Sequence, residues 1–230
     1  MCYGASVLYV TFRFGGLPVT ATTLRRLRPR GHTRRAQILD AATKVFIECG
    51  YGAATIDLVV NRAGASKATI YSFFGGKEGL FAAIIEERTE RILAALPHVG
   101  IDHLDVRTTL TEIGRRYMEV AMSPDAIGLY RLILAEGVRF PELAGTFYRI
   151  GPERVSERVA SLLRVWRRNR LITVEDAYLA AVQFLDAVRG ELHLRAVAGL
   201  PPDHLADAID RNVHHAVHIF WNGIRAEGRS

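Results

Sequence analysis

The chain has 230 residues, of which 49% are hydrophobic and 23% are charged. This composition supplies a buried core and excludes an intrinsically disordered protein. No run of about 18 apolar residues occurs, so neither a membrane-spanning helix nor a membrane partner is expected. The two cysteines, Cys2 and Cys49, have neither metal-binding nor redox spacing, which is typical of reduced thiols in a cytoplasmic protein.

Positive charge is concentrated near the N-terminus. Residues 1–77 carry eleven Lys and Arg against three acidic residues, a net charge of +8, so the remaining residues carry −2 of the total of +6. A basic N-terminal third on a nearly neutral remainder is typical of a protein that binds nucleic acid. An incidental basic surface patch is the alternative that composition leaves open.

Residues 1–32 are predicted to form a disordered basic extension. Their apolar stretch has no basic region before it and is interrupted by Arg13, which argues against a secretory signal. Six arginines then occur within residues 25–35. They form either a solvated flexible tail or an arm that follows DNA phosphates or enters the minor groove.

The first helix is predicted over residues 34–49. Apolar residues recur on one face of it, and Gly50 ends it because a residue without Cβ enters the left-handed conformation at little cost. The apolar residues are Ile38, Ala42, Val45 and Phe46. We expect this helix to support the two short helices that follow.

Two short helices joined by a glycine-containing turn are predicted next, which is the pattern of a helix-turn-helix. Thr55 is a candidate N-cap of the first helix, Gly64 ends it, and Ser66 is a candidate N-cap of the second. The second helix is expected to expose Ser, Lys, Thr and Tyr side chains, which suit phosphates and base edges better than catalysis. The residues expected to pack inwards are Ile70, Phe73 and Phe74.

A family resemblance is carried by residues between Ile38 and Leu80. They are Ile38, Leu39, Asp40, Ala41, Ala42, Phe46, Gly50, Tyr51, Thr55, Arg62, Ala63, Gly64, Ser66, Lys67, Thr69, Ile70, Tyr71, Phe74, Lys77, Glu78 and Leu80. In this register, residues 34–81 closely resemble the DNA-binding domain of the tetracycline-repressor (TetR/AcrR) family of bacterial regulators. The resemblance implies that residues 33–78 form a domain whose partner is double-stranded operator DNA.

Two positions depart from the family pattern. Val60 stands where Ala is usual, which would alter the packing between the two short helices. Gly75 and Gly76 replace a common Pro-Ser pair, which would leave the next helix with a weaker N-cap. Neither departure removes a residue that is expected to face DNA.

The candidate DNA contacts lie on the two short helices and just after them. Lys67, Ala68 and Thr69 are expected to face base edges in the major groove, where Lys67 can donate to guanine acceptors. The residues expected to hold phosphates and fix the register are Thr55, Ser66, Tyr71 and Lys77. Ser72, on the same recognition helix, completes the set.

The remainder of the chain, residues 79–230, is predicted to be entirely helical. No alternating strand pattern with turn signals occurs in it. Helices are expected over residues 77–96, 103–122, 124–138, 141–149, 152–169, 174–198 and 203–226, separated by proline and glycine. The expected fold is therefore all-α, with an N-terminal three-helix helix-turn-helix domain and a larger helical domain for ligand binding and dimerisation.

Two segments, GLYRLILAEGVRFPELAGTFYRIGP and VEDAYLAAVQFLDAVRGEL, resemble the C-terminal domain of the AefR-like subgroup of that family over about residues 127–195. The family resemblance implies a homodimer held by a four-helix bundle from the last two helices of each subunit. A two-fold dimer would read two half-sites spaced by whole DNA turns. The expected interface residues are Ala181, Leu185, Val213, Val217, Phe220 and Trp221.

Aromatic and apolar residues on the body helices are candidates for lining a ligand cavity, although such residues at helical spacing more often form plain core. The unidentified ligand would then be small and apolar or aromatic. Arg131, Glu136 and Gln183 are candidate polar partners for it. The candidate lining residues are Tyr117, Tyr130, Ile133, Leu134, Phe147, Trp166, Gln183 and Phe184.

No metal site, cofactor or catalytic residue is predicted. His214 and His218 lie one helical turn apart, but the sequence places no third ligand near them, so structural or interface roles are preferred to a metal role. Gly75-Gly76-Lys77 lacks the spacing of a phosphate-binding loop. No Ser/His/Asp or Cys/His signature has a recognisable local context.

The resulting hypothesis is a dimeric DNA-binding transcriptional regulator rather than an enzyme. The preferred form is a repressor that leaves a palindromic operator when a small molecule binds the C-terminal domain, and the choice between repressor and activator stays open. A helical adaptor with a vestigial DNA-binding head is the alternative from another class.

Overall fold

The computed structural model describes residues 30–96 and 105–225. Ten α-helices and one π-helical turn occur in these ranges, with a single bridge between Ile172 and Arg225 in place of any strand. The predicted all-α fold is therefore confirmed. The expected basic extension, residues 1–32, lies outside the described residues except for its last three, which belong to the first helix.

Three helices form the head, which we define as residues 30–76. They are α1 (Arg30–Ala53), α2 (Ile56–Ala63) and α3 (Lys67–Phe74). The helix α1 begins four residues earlier than predicted, and it is broken at Gly50, whose φ of 78° lies in the region that favours glycine. The end of the regular helix at Gly50 agrees with the prediction.

The predicted caps of the two short helices are confirmed. The Thr55 hydroxyl accepts a hydrogen bond from the N–H of Leu58 at 3.3 Å, and the Ser66 hydroxyl accepts one from the N–H of Thr69 at 3.1 Å. Gly64, with φ 59°, ends α2. Because these caps satisfy backbone groups that the short helices leave free, they set where each helix starts and stops.

The body comprises the seven remaining helices. They are α4 (Lys77–Ala95), α5 (Val106–Ala121), α6 (Pro124–Glu136), α7 (Pro141–Tyr148), α8 (Arg154–Arg168), α9 (Ala177–Val197) and α10 (Leu205–Ile224). The N-cap residue of α4 is Gly76, which offers no side-chain cap, as the Gly75-Gly76 pair predicts. No helix in the described ranges is long and apolar enough to cross a membrane.

The segment Arg149–Glu153 differs from the prediction. Gly151 and Pro152 were expected to separate two helices, but a π-helical turn carries the chain from α7 into α8 without a break. Proline lacks the N–H that an α-helix needs, and a wider turn accommodates it inside a continuous helical segment.

Two apolar cores hold the molecule together. The first joins the head to α4, α6 and α7, with Phe46, Ile70 and Leu129 almost completely buried in it. The second lies among α5, α8, α9 and α10. Because α6 contributes Leu129 and Leu132 to the core of the head, the head and the body share packed side chains rather than a flexible linker.

Phe73 was expected to pack inwards with Ile70 and Phe74, and this prediction is wrong. Its side chain is 51% exposed, whereas Ile70 is fully buried. The ring of Phe73 packs edge-to-face with that of Phe74, with the ring centroids 6.0 Å apart.

Candidate nucleic-acid interface and ligand cavity

The first turn of α3 is exposed on the surface of the head. Ser66, Lys67 and Ala68 are exposed, as are Tyr71 and Ser72 one turn later. Thr69 is half-buried, because its hydroxyl lies 2.8 Å from the hydroxyl of Ser66. An exposed helix start with a hydroxyl and an ammonium group has the chemistry that fits a DNA major groove.

Lys67 has a protein partner in this structure. Its ammonium lies 2.7 Å from the carboxylate of Asp57 on α2, and both side chains are 61% exposed. The hydrogen bond to Asp57 raises the pKa of Lys67. Exposed ion pairs are weak, so a DNA phosphate or a guanine acceptor can replace Asp57 at little cost.

Lys77, one of the residues expected to hold a phosphate, lies in a different setting. Its ammonium donates to the carbonyl oxygens of Tyr51 at 2.8 Å and Ala54 at 3.1 Å, and it lies 4.5 Å from the centroid of the Tyr51 ring. These contacts hold the turn between α1 and α2. A phosphate contact by Lys77 stays a prediction, and it would require the ammonium to give up these carbonyl oxygens.

Two arginines of the predicted basic arm, Arg34 and Arg35, make side-chain contacts within the head. The Arg34 guanidinium donates to the carbonyl oxygens of Ala63, at 3.1 Å, and of Gly64, where α2 ends. Arg35 lies over the ring of Phe74, 5.6 Å from its centroid. Both side chains therefore stabilise the helix-turn-helix from α1, because cations favour helix C-termini and aromatic faces.

A cavity lies inside the body, between α4, α5, α6, α7, α8 and α9. The volume of the cavity is about 100 Å³. Three of the eight predicted lining residues, Tyr117, Tyr130 and Phe147, belong to its wall. The other lining residues are Ile85, Arg88, Thr89, Ile92, Val120, Ala121, Ala126, Leu129, Gly151, Pro152, Val155, Arg189 and His193.

The other predicted pocket residues lie elsewhere. Trp166 and Phe184 belong to the core of the body, and Ile133 packs against the core of the head. Leu134 is 60% exposed. Gln183 lines a separate surface groove beside α10. Helical spacing alone cannot separate cavity lining from core, because both are apolar faces of the same helices.

Four polar residues of the cavity were not predicted. Arg88 and Thr89 come from α4, and Arg189 and His193 come from α9. A sequence signal exists for the first pair, because they interrupt the apolar spacing between Ile85 and Ile92. Their convergence with α9 depends on tertiary packing, which the sequence pattern does not provide.

The two arginines of the cavity are held by carboxylates that are not part of its lining. Arg88 donates to Asp125, at the start of α6, at 3.0 Å. Arg189 donates to Asp186, one turn earlier on α9. Burial lowers the pKa of Arg88, so its charge has been partly removed from water.

His193 and Tyr117 respond to the same environment. Burial, with a smaller contribution from the charge of Arg189, lowers the pKa of His193 to about 4. The imidazole is therefore neutral at physiological pH, with one donor and one acceptor nitrogen. Burial raises the pKa of Tyr117, so its hydroxyl stays protonated.

Glu136, at the end of α6, binds the head rather than the cavity. Its carboxylate accepts hydrogen bonds from the N–H groups of Tyr51 at 3.0 Å and Gly52 at 2.9 Å. A Cβ at Gly50 would overlap with this carboxylate. Phe140 packs its ring against that of Tyr51, with the centroids 5.3 Å apart.

Arg131, the second candidate polar partner of the ligand, also lies away from the cavity. Its guanidinium donates to the carbonyl oxygens of Ala196 and Val197 at 2.7 Å each, at the C-terminal end of α9. This contact joins α6 to α9. Arg131 and Glu136 therefore connect α6 to its neighbours and do not reach the cavity.

The predicted dimer residues occupy two settings. Phe220 and Trp221 are partly buried on α10. The other four, Ala181, Leu185, Val213 and Val217, are buried inside the single chain. The large apolar side chains that α9 and α10 expose are Leu179, Leu194, Leu205 and Ile219. Two of them, Leu179 and Ile219, are 51% and 60% exposed and line one surface groove.

No group of three or more His, Cys, Asp or Glu side chains within residues 30–96 and 105–225 is arranged to hold a metal ion. His218, one of the two histidines considered as ligands, lies 3.2 Å from the side-chain amide of Asn222. The partner of His218 in the structure is thus a polar side chain on its own helix.

Comparison with known proteins gives a family for both parts of the chain. Residues 38–84 match the bacterial regulatory proteins of the tetR family. Residues 108–223, half of the chain, match the C-terminal domain of AefR-like transcriptional repressors. The match of the head and the match of the body therefore point to the same kind of protein.

Individual relatives agree. The HTH-type transcriptional repressor Rv1474c of Mycobacterium tuberculosis is 29% identical over 191 residues, which cover 77% of this chain and 89% of that protein. The flavonoid-responsive regulator FrrA superposes with a TM-score of 0.68 and 32% identity over 86% of this chain and all of that one. A protein from Mesorhizobium loti assigned to the TetR family superposes with a TM-score of 0.72, 26% identity and the same coverage. The chain therefore belongs to the TetR family of bacterial transcriptional regulators, which bind DNA through an N-terminal helix-turn-helix.

Proposed function

We propose that the protein is a homodimeric repressor that leaves a palindromic operator, inside the cell, when a small molecule occupies the body cavity. The observation that carries this proposal is the position of α6. Ala126, Leu129 and Tyr130 of this helix line the cavity, and Glu136 at its end binds the head. A ligand that changes the wall of the cavity therefore acts on the same helix that holds the head.

The repressor assignment is supported by the relative from Mycobacterium tuberculosis, whose name describes a transcriptional repressor. Ligand control is supported by the cavity and by FrrA, whose name describes a flavonoid-responsive regulator. A ligand shifts such an equilibrium only through its different affinities for the two conformations. A complete switch needs a difference of roughly 10⁴-fold.

DNA binding would place α3 of each subunit in the major groove. One short helix makes few base contacts, so two heads related by two-fold symmetry would share one operator. The half-sites would then lie about 34–36 Å apart, or a multiple of that distance, on one face of the duplex. Lys67, Ala68 and Thr69 are the proposed base-reading residues, with Thr55, Ser66, Tyr71 and Ser72 beside the backbone.

The test is selection of bound duplexes from a random DNA pool with the full chain. We expect an enriched sequence with two inverted half-sites. Lys67→Ala should weaken binding to that sequence, whereas Lys44→Ala should not, because Lys44 is an exposed residue of α1 paired with Asp40. Enrichment of a single asymmetric half-site would contradict the dimer, and no enrichment at modest salt would contradict the function itself.

A further inference from the structure

The body cavity combines an apolar wall with two cationic side chains. Arg88 and Arg189 both belong to its lining, and no Asp or Glu does. The side chain of Arg88 is 16% exposed and that of Arg189 is 27% exposed. Two guanidinium groups that are mostly removed from water, on a wall without carboxylates, make the cavity positive in a low-dielectric setting.

Each arginine uses only a minority of its N–H donors in the ion pair with its carboxylate. A guanidinium carries five N–H donors, and the bonds to Asp125 and Asp186 each come from a single terminal nitrogen. Each carboxylate therefore fixes the orientation of its arginine from outside the cavity. A group so oriented binds an anion with a smaller loss of conformational entropy.

Around Arg189 the other polar groups of the cavity converge. Tyr117 belongs to the same wall, and the positive charge of Arg189 acts on its hydroxyl. His193 lies four residues further along α9, beyond a break in the helix at Gly190. Its ring packs edge-on against Tyr130 with the centroids 4.8 Å apart. At this end of the cavity a ligand therefore meets a cation, a phenol hydroxyl and a neutral imidazole, all of which can donate hydrogen bonds.

Arg189 also lies at the boundary between the cavity and the outside. Tyr130, Arg189 and His193 line both the cavity and an open groove between α6 and α9. The rest of the cavity wall, away from these residues, is mostly apolar. A ligand with one polar end would therefore place that end at Arg189 and its apolar part among Ile92, Val120 and Phe147.

We propose that the ligand is an organic acid with an aromatic or apolar body, whose ionised group binds Arg189. This inference rests on the proposed ligand-responsive function and adds the chemical class of the ligand. A cationic ligand would meet two like charges on a wall that has no carboxylate, which is unfavourable. A neutral apolar ligand would cover the N–H donors that Asp125 and Asp186 leave free and would supply no acceptor for them.

The experiment compares matched pairs of compounds that differ only in charge. Benzoate, cinnamate, indole-3-acetate and octanoate are each paired with the corresponding amide. Binding to the full-length protein is measured at pH 7.5 by thermal shift and calorimetry. We expect acids to bind and raise the melting temperature, and their amides to bind about tenfold to a hundredfold more weakly, because a charge-assisted hydrogen bond is lost.

Substitutions assign the effect to Arg189. Arg189→Gln should abolish the preference for the acid, and Arg189→Lys should keep part of it because the charge is retained. Arg195→Gln is the matched control, since it removes the same charge from an exposed position on the same helix. Circular dichroism checks that each variant is folded, and Arg189→Lys keeps the test valid if Arg189→Gln does not fold.

The outcomes separate this inference from the proposed function. Amides that bind as tightly as acids, no binding by any acid of the panel, or unchanged acid binding by Arg189→Gln would each overturn it. A neutral compound that binds in the cavity and weakens DNA binding would overturn the acid inference and support the regulator. An acid that binds through Arg189 and leaves DNA affinity unchanged would support the acid site and contradict the proposed switch.

Discussion

The carboxylate of Glu136 binds the N–H of Gly52, at 2.9 Å, across 84 residues of sequence. The same carboxylate accepts from the N–H of Tyr51, while Lys77 donates to the carbonyl oxygens on the other side of that turn. The turn between α1 and α2 is thus held by α6 from the body and by the start of α4. Its position sets the position of the helix-turn-helix that follows it.

Glu136→Ala should loosen this turn. Two hydrogen bonds from backbone N–H groups to a charged acceptor are lost, one of them part-buried and the other exposed. We therefore expect a decrease of about 1–3 kcal/mol in the free energy of unfolding. The amides of Tyr51 and Gly52 should exchange hydrogen faster, which hydrogen–deuterium exchange measures. Glu136→Gln keeps one acceptor oxygen and should have a smaller effect.

The control for this substitution is Glu191→Ala, which removes an exposed carboxylate from α9. It should leave both the free energy of unfolding and the exchange of the two amides unchanged. Exchange in Glu136→Ala as slow as in the natural protein would show that Glu136 does not hold the turn.

Substitutions at Lys67 and Asp57 should change DNA affinity in opposite directions. Lys67→Ala removes a donor on the exposed turn of α3, and a base contact of this kind contributes about 1–3 kcal/mol to discrimination. Asp57→Asn removes a negative charge near DNA and releases Lys67 from its ion pair, so binding should tighten. Fluorescence anisotropy with the selected operator at several salt concentrations measures both.

The salt dependence distinguishes the two possible roles of Lys67. If Lys67 reads a base, Lys67→Ala should relax specificity at one position of the half-site. If it binds a phosphate, the slope of log affinity against log salt should decrease by about 0.9 for each site. If both variants bind DNA with unchanged affinity, Lys67 does not belong to the DNA interface.

Ile219→Glu should convert dimers into monomers. Ile219 is 60% exposed on α10 and shares a surface groove with Leu179 of α9, so a buried carboxylate there would oppose association. Phe220 is a less suitable target, because its ring packs against Phe184 with the centroids 5.0 Å apart. Analytical ultracentrifugation gives the oligomeric state, and Leu134→Glu, at an equally exposed position on α6, should remain dimeric. Dimers of Ile219→Glu would place the interface elsewhere.

His193 should make stability depend on pH below neutrality. Its pKa is lowered to about 4 in the folded protein, by burial and by Arg189, against about 6.5 in an unfolded chain. Between these values only the unfolded chain binds the proton, so the free energy of unfolding should fall as the pH decreases. The expected decrease from pH 7 to pH 5 is about 1–2 kcal/mol from this residue.

Urea unfolding at pH 7 and pH 5 measures this effect. His193→Gln should reduce the difference between the two pH values, because Gln does not titrate. His215→Gln, at an exposed position on α10, should leave the difference as it is in the natural protein. An equal difference in His193→Gln would mean that other groups cause the pH dependence.

The helices and their ends could be predicted from the sequence because their signals are local. Thr55, Ser66 and Gly64 act through backbone groups two to five residues away, and each does in the structure what the sequence predicts. Pro152 was misinterpreted, because whether a proline ends a helix or sits in a wider turn depends on the packing around it.

The cavity was only partly predictable, because its polar residues come together through tertiary packing. Arg88 and Arg189 are separated by about 100 residues, and nothing local relates one to the other. Glu136 was noticed as a polar residue of the body, but its partners are backbone N–H groups of the head. Every residue except proline has a backbone N–H group. The pattern of residue types therefore cannot reveal which of these groups a distant carboxylate will bind.

The three polar contacts of α6 have a consequence for genetics. Asp125 accepts a hydrogen bond from Arg88 of α4, and Arg131 donates one to a backbone carbonyl at the end of α9. Glu136 accepts a hydrogen bond from a backbone N–H in the turn of the head. Under the proposed function, a reporter strain with random mutations at these three positions should therefore yield two kinds of colony, permanently silent and permanently expressed. Such alleles would no longer respond to the inducer, although the altered side chains would contact neither the operator nor the inducer.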